Sequence, residues 1–382
     1  MSLTNFNQSR IKQFRRCQKQ YSFRYDYARY YPELAGKGIK LEMVPKQHKL
    51  PLYRGTWMHA LQETLHHQWA GVTPFEITLG EGRQALTSTV STWQDTQELL
   101  TEAFDQLFDE EKEDLGELPD ECERLFKSYL RFWKDDRDKY SVAILPNGKP
   151  AIELIVEASL EKFGVKGNFK GKIDLVVEDD EYDGYWVWDG KWVKNIPPPD
   201  ESMMSPQALL YVWGLREQYG IDVRGFVYNR ARTKPPTIPR VLKRPAGMLS
   251  LASKMDTDYF TYLSTIKETH GKNWRKYLPY YRPKLEELKG REGMWFARER
   301  IPVEDDRILR GVKEYLASVA DIKRRETRRD YVPRTYLYSC KWWCEYHNLC
   351  TAEFQGHEIE PLIKSSMQFV GERYTEEDLL KD

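Results

Sequence analysis

Two aspartates and a lysine, set in two short apolar runs, carry the clearest chemistry in this chain. Gly171-Lys172-Ile173-Asp174-Leu175-Val176-Val177 is followed by a polar stretch, Glu178 to Gly184, and then by Tyr185-Trp186-Val187-Trp188-Asp189-Gly190-Lys191. Runs rich in β-branched and aromatic residues around a polar turn predict a β-hairpin. Residues two apart on a strand share a face, so Asp189 and Lys191 point the same way, and strand pairing can bring Asp174 beside them. Two carboxylates at one spot repel unless a cation joins them. A divalent ion that accepts oxygen ligands, Mg²⁺ or Mn²⁺, meets that need. The lysine adds a charge for a water or a phosphate oxygen, and the set as a whole suits phosphodiester hydrolysis. The plain alternative is a solvated Asp-Gly-Lys turn.

Several elements must position these residues. Ala151 to Phe163 reads as a strand, Gly164 to Asn168 as a turn, and Pro197 to Asp200 as a loop. Met203 to Tyr219 reads as a helix on which Gln207 and Tyr211, four apart, share a face and can reach a scissile phosphate. Gly225 to Asn229 reads as a further strand, followed by Arg230, Arg232 and Lys234, a pattern that suits phosphate contact. Strands, helix, then strand predict an α/β fold with a mixed β-sheet core flanked by helices. Upstream, Ser9 to Tyr27 reads as a helix capped by Ser9, and residues 31–52 as a loop. Trp57 to Trp69 reads as a helix with His59 in its first turn and His66 and His67 on the surface. Residues 76–141 read as mostly helical, broken near Gly116 to Pro119, and 248–330 as helical. The expected organisation is an N-terminal helical region (1–150), a sheet core (151–235) and a helical, cysteine-rich region (236–382) that closes on the N-terminus as one unit.

The chain has 382 residues and a formal net charge of zero, with 13% aromatic residues. The charge is unevenly spread. Residues 1–50, which include Arg15 and Arg16, hold eleven Lys/Arg against three Asp/Glu, and 224–244 hold seven Lys/Arg and no acid. Such stretches could line a phosphate track. Residues 98–123 hold twelve acids and one lysine, which reads as a solvated face. No run approaches the length of a membrane span and no apolar leader begins the chain, so the expectation is a soluble, cytoplasmic protein without membrane partners. Lys37-Gly38 and Lys289-Gly290 lack the spacing of a nucleotide-binding loop, so no built-in motor is expected.

There are five cysteines, and three fall in Cys340-Lys341-Trp342-Trp343-Cys344-Glu345-Tyr346-His347-Asn348-Leu349-Cys350. In a cytosolic chain that density points to metal rather than disulfides. Cys340, Cys344, His347 and Cys350 would make a zinc set. With Cys17 in place of the histidine, four thiolates would suit a 4Fe–4S cluster. Spacing leaves both open. Cys122, among acids, reads as a bystander.

Taken in order, these segments resemble the PD-(D/E)XK nucleases, in particular the RecB-like exonuclease branch. Gly171-x-x-Asp174, Asp189-x-Lys191 and Gln207-x-x-x-Tyr211 match its core, and Gly55-Thr56-Trp57-Met58-His59 matches its Gly-x-x-x-His segment. Glu157 stands near the glutamate that the family often carries ahead of the first aspartate. Ile173 replaces the name-giving proline, and Trp192 stands where Thr or Ser is usual. The resemblance implies a restriction-endonuclease-like sheet and a metal-dependent deoxyribonuclease, an exonuclease at DNA ends or on single strands. It implies a metal held by His59, Asp174 and Asp189, with Lys191, Gln207 and Tyr211 in the chemistry, and recombination or repair proteins as partners. AddB-type and CRISPR-associated members carry one cysteine near the N-terminus and three near the C-terminus around a 4Fe–4S cluster, which selects Cys17, Cys340, Cys344 and Cys350. Two other classes compete: a DNA-binding module with a vestigial site, and an iron–sulfur electron carrier.

Overall fold

A computed structural model describes residues 5–26, 29–30, 41–46, 50–79, 86–198, 205–328 and 331–371. The chain opens with a two-residue strand β1 (Asn5–Phe6) and two short helices, α1 (Gln8–Arg16) and α2 (Gln18–Tyr25). The expected single helix is broken at Cys17, whose backbone is extended at φ −160° and ψ 114°. Asn7, not Ser9, caps α1, its side chain accepting the Arg10 N–H at 2.7 Å. The segment expected as loop holds a strand, β2 (Leu41–Pro45), and residues 31–40 and 47–49 lie outside the described residues. Helix α3 runs Leu50–Ala70, so His59 sits in its third turn rather than its first.

The next region is less helical than its composition suggests. A hairpin, β3 (Phe75–Leu79) with β4 (Leu86–Val90), precedes α4 (Trp93–Asp105), α5 (Asp109–Leu115) and α6 (Leu118–Phe132). Alternating Thr and apolar residues form this ribbon, whose period of two was not read from the sequence. The break near Gly116 stands where expected, between α5 and α6.

The central sheet is mixed and seven-stranded. Strand β7 (Asn168–Asp179) pairs antiparallel with β5 (Tyr140–Val142) and β6 (Ile152–Ser159), parallel with β1, and antiparallel with β8 (Tyr185–Val193). Strand β8 pairs parallel with β9 (Val223–Arg232), and β9 antiparallel with β10 (Phe296–Pro302). A parallel pair needs a crossover, and α7 (Pro206–Tyr219) supplies it. Residues 199–204, including the start of the helix expected from Met203, lie outside the described residues. Strand β10 lies within the region expected to be helical; Arg298, Glu299 and Arg300 hide its pattern, as charges commonly do on an edge strand. Each of these three charges has a partner: Arg298 pairs with Asp136, Arg300 with Asp179 and Glu299 with Arg230.

Helices cover both faces of the sheet. Val176, Val187 and Phe226 pack with Leu210 and Leu215 of α7 and with Val312 and Val319 of α10 (Asp305–Arg328). On the other face Leu175, Val177, Trp186 and Trp188 meet Trp69 and Ala70 at the end of α3. Between β9 and β10 the chain leaves the sheet to form a small helical lobe, α8 (Tyr259–His270) and α9 (Trp274–Lys289), with its own core of Leu249, Tyr262, Ile266, Tyr281, Leu285 and Leu288.

The two ends of the described chain meet. Helices α11 (Cys340–Trp343), α12 (His347–Phe354) and α13 (Glu360–Ser366) lead to β11 (Met367–Gly371), which pairs antiparallel with β2. Phe23, Met43, Tyr346, Leu349, Ile363 and Met367 form a joint core. The Tyr346 hydroxyl donates to the Met43 carbonyl at 2.5 Å, and Lys19 pairs with Glu353. Among the described residues no helix is long and apolar enough to cross a membrane.

Candidate metal centre

The site lies where the hairpin forks. The ladder between β7 and β8 runs from Glu178↔Tyr185 to Leu175↔Trp188 and then stops. One residue further along β7, a side chain takes over from the backbone: Asp174 Oδ2 accepts the Gly190 N–H at 2.7 Å. Asp189 does not end its strand, because β8 continues through Lys191 to Val193 on the parallel ladder with β9. The fork therefore has rigid strands on both sides.

Helix α3 closes the fork from one face. His59 Nδ1 lies 3.5 Å from Asp174 Oδ2. A Cβ on Gly190 would sit 2.7 Å from Gln62 Oε1, 3.3 Å from His59 Cε1 and 3.5 Å from Asp174 Oδ2. Only glycine leaves that space open. Trp192 Nε1 donates to Gln62 Oε1 at 3.1 Å, so the tryptophan that departs from the family pattern fixes the residue lying under Gly190. Ile173, in the proline's place, keeps its ladder position opposite Leu154 in the core.

The third member was not read from the sequence. His59, Glu153 and Asp174 each offer a ligand atom within 4.8 Å of the others. Glu157, the glutamate singled out by the resemblance, instead faces Asn168, four residues along β6. Glu153 lies between the pairs Ile152↔Leu175 and Leu154↔Ile173, which sets it across from Asp174. Its φ of 47° is one of two positive values among the described non-glycine residues. An outlier of that kind costs on the order of 1 kcal/mol or more and clusters at functional sites. Glu153 pairs with Lys172 at 2.6 Å. Burial pushes its carboxyl up to about 7, with Glu63 and Asp174 adding to the rise and Lys172 opposing it. Burial likewise raises Glu63, one turn along α3 from His59. No local motif marks Glu153 or Glu63; only strand register and helix phase reveal them.

Asp189 stands beside this group rather than within it. Lys191 Nζ lies 2.5 Å from its Oδ2, and Gln207 Nε2 donates to its Oδ1 at 3.1 Å. Burial pushes Asp189 up to about 6, helped by Asp174 and opposed by Lys191. Burial works against the Lys191 ammonium, but Asp189 and Asp174 outweigh it and raise its pKa. Tyr211 is a core ring: a Cβ on Gly171 would fall 2.7 Å from it, so the glycine is what lets α7 lie against β7. Carboxylates held up by burial, an imidazole and an open cradle fit a hard divalent cation, which would relieve the repulsion among Glu153, Asp174 and Asp189.

A family model for the PD-(D/E)XK nuclease superfamily matches residues 5–351. The chain belongs to this superfamily. A comparison with curated proteins finds no match. PD-(D/E)XK nucleases use Mg²⁺ or Mn²⁺, and the donor set at the fork suits those ions.

The remaining expected site residues of this PD-(D/E)XK chain fall elsewhere. Arg230 is not open to a phosphate; it is buried and paired with Glu299. Arg232 pairs with Asp256 at 2.8 Å and stacks on Trp295, and Lys234 reaches Asp256 at 3.1 Å. The acids come from β10 and the lobe, too distant in sequence for the basic run to reveal them. Arg15 and Arg16 are exposed, Arg15 donating to Ser318 Oγ at 2.8 Å. His66 is buried, not on the surface, and burial holds its pKa down at about 3. His67 is half-buried, stacked 3.7 Å from Phe75.

Cys17, Cys340, Cys344 and Cys350 are all partly buried and free of disulfides. Burial raises the Cys344 thiol, and the neighbouring Cys17, Cys340 and Cys350 add to the rise. The Leu337 N–H donates to Cys340 Sγ at 3.4 Å, the Tyr346 N–H to Cys344 and the Arg334 guanidinium to Cys350. Cys17 lies at the N-terminal end of α2. Cys122 is buried away from these four in the core under α6, and burial pushes its thiol up to about 12.

Proposed function

We propose that this nuclease-superfamily chain is a divalent-metal-dependent deoxyribonuclease of the RecB-like branch, an exonuclease acting at DNA ends or on single strands. The convergence of His59, Glu153 and Asp174 within 4.8 Å, beside Lys191, carries the reading. In this reading these three hold Mg²⁺ or Mn²⁺, with Asp189 and the Gly190 carbonyl completing the oxygen donors. When bound, the ion lowers the pKa of a water and neutralises charge on the phosphate. Lys191, anchored on Asp189, orients the attacking water and stabilises negative charge on the phosphate. Gln207 fixes the other Asp189 oxygen, and Tyr211 acts through Gly171 to hold β7 in place. Arg15 and Arg16 add exposed positive charge. The protein works in the cytoplasm with recombination or repair partners.

The second part of the proposal assigns one 4Fe–4S cluster to Cys17, Cys340, Cys344 and Cys350. The four cysteines come from both ends of the described chain, and Cys17, Cys340 and Cys350 lie near enough to Cys344 to raise its thiol, which supports one shared site. N–H donors to three of the sulfurs stabilise thiolate ligands.

The test is incubation with end-labelled linear and circular DNA, single- and double-stranded, with Mg²⁺ or Mn²⁺. Loss of end label from linear DNA only, abolished by chelation and by Asp174→Asn, is expected. Equal cutting of circles would replace the exonuclease with an endonuclease, and no metal-dependent cleavage of any substrate would remove the nuclease reading.

A further inference from the structure

Arg230, Arg232 and Lys234, expected to contact DNA, are held by carboxylates, yet most of another basic stretch is not. Gly271 to Leu285 carries five Lys/Arg and no acid, interleaved with four aromatic rings. Helix phase sorts them. Trp274, Leu278, Tyr281, Leu285 and Leu288 form one stripe and pack with Tyr262 and Ile266 of α8. Lys276 and Tyr280 fall on the opposite side, Arg275 and Arg282 on one flank and Lys272 in the turn before the helix, and all five are exposed. Among the described residues no carboxylate pairs with Lys272, Lys276 or Arg282. Lys284 on the inner side, by contrast, reaches Glu287 at 3.0 Å.

Exposed rings accompany these cations. Tyr280 is 42% exposed and rests edge-on against Tyr281. Tyr277, 38% exposed, stacks on His270 with centroids 3.9 Å apart. A ring anchored on one side and open on the other offers a face to an unstacked base, which a paired duplex cannot present. From Arg275 to Arg282 the helix spans about 10 Å, with Lys272 in the turn just before it, long enough for several contacts with one strand.

The lobe also leaves the sheet next to the metal site. Lys191 pairs in register with Arg230, and Val193 with Arg232. Just beyond, the Thr233 N–H donates to the Val193 carbonyl, and Arg232 grips Asp256 at the foot of the lobe. The strand ends that carry Lys191 are thus the ends from which α8 and α9 are built.

We propose that the outer face of α9 binds a single nucleic-acid strand, with Lys272, Lys276 and Arg282 on its phosphates and Tyr280 stacked on a base. This deepens the nuclease reading by giving that site a single-stranded substrate, and its test is independent of cleavage. Binding of labelled oligo-dT and of a duplex to the full chain is measured in EDTA across a salt series. Lys272→Ala with Lys276→Ala and Arg282→Ala is expected to flatten the log–log salt slope for oligo-dT by about two, at about 0.7 per phosphate contact. Tyr280→Ala is expected to weaken oligo-dT binding roughly five-fold or more, Tyr280→Phe to restore it, and neither to change duplex binding. All these side chains are exposed, and thermal melts verify that the variants remain folded. An unchanged slope in the triple variant, or no oligo-dT binding by the unmodified chain, overturns the proposal. A silent Tyr280→Ala with a flattened duplex slope also overturns it, by making the face a duplex rail. Cleavage without these binding changes would retain the nuclease and sink the α9 surface; the reverse result would do the opposite.

Discussion

Replacing Glu153 by glutamine should stabilise the metal-free protein and remove its response to metal. Glu153 is largely buried, with 16% of its side chain exposed, against Lys172. Its pKa is raised from 4.5 to about 7, chiefly by burial. Between those values the folded state holds a proton that the unfolded chain has released. The stability this group contributes is therefore full below 4.5 and is lost as pH rises through 7. At pH 8 the ionised carboxylate costs about 3 kcal/mol, since each pKa unit is about 1.4 kcal/mol. Glutamine keeps the shape and removes the charge. The opposing pull of Lys172 is already contained in that value. The net gain is therefore about 3 kcal/mol, or a Tm rise of roughly 4 °C for a chain of this size. The same change removes an anionic ligand, so Mn²⁺ at a hundred times the wild-type Kd should no longer add its roughly 2.7 kcal/mol. Thermal melts at pH 8 in EDTA and in Mn²⁺, with calorimetric titration of Mn²⁺, measure both effects. A variant that melts several degrees lower in EDTA, or that retains the wild-type response to Mn²⁺, would refute the reasoning.

Three further outcomes follow. Mn²⁺ must displace protons from Glu153 and Asp189, raised to about 7 and about 6, so its apparent Kd should fall up to ten-fold per pH unit for each proton released as pH climbs towards 7; a Kd flat from pH 5.5 to 8 contradicts this. Gly190→Ala should cost about 1–3 kcal/mol in a denaturant melt and weaken Mn²⁺ binding, because a methyl group there meets Gln62 and His59; wild-type values for both would show that the cradle yields. Anaerobically prepared protein should carry about four irons per chain, lost with Cys17→Ser and kept with Cys122→Ser and His347→Ala; one zinc, indifferent to Cys17→Ser, would mean the histidine is a ligand.

The parts of the site that were legible are those whose neighbours are close in sequence. Asp174, Asp189 and Lys191 share one hairpin, and strand period alone places them together. Gln207 needed only one crossover helix. Glu153 escaped because its claim rests on register with Asp174 across a pair of strands, while the resemblance drew attention to Glu157. The basic run at Arg230 misled for the same reason: its partners, Glu299 and Asp256, come from a later strand and a later lobe. Strand β10 was hidden by charges whose partners are equally remote. The fold class survived these errors because it depends on the order of apolar runs, which each segment carries in itself.

The joint core of the two chain ends fixes when this protein can be finished. Met43 and Tyr346, which bond through the Tyr346 hydroxyl, lie 303 residues apart. At about 5–20 residues per second of synthesis, the first waits roughly 15–60 s for the second to be made. During that interval Phe23, Met43 and the Cys17 thiol have no partners from the C-terminal side. Closure of β2 with β11 is therefore a late event, in which a ring is completed around a sheet that can already have folded. A message truncated between the end of α10 and Tyr346 would yield a chain with every group of the metal centre present and its clasp open. Such a chain would betray itself to a protease at α1 and α2 before it failed in any assay of the fork.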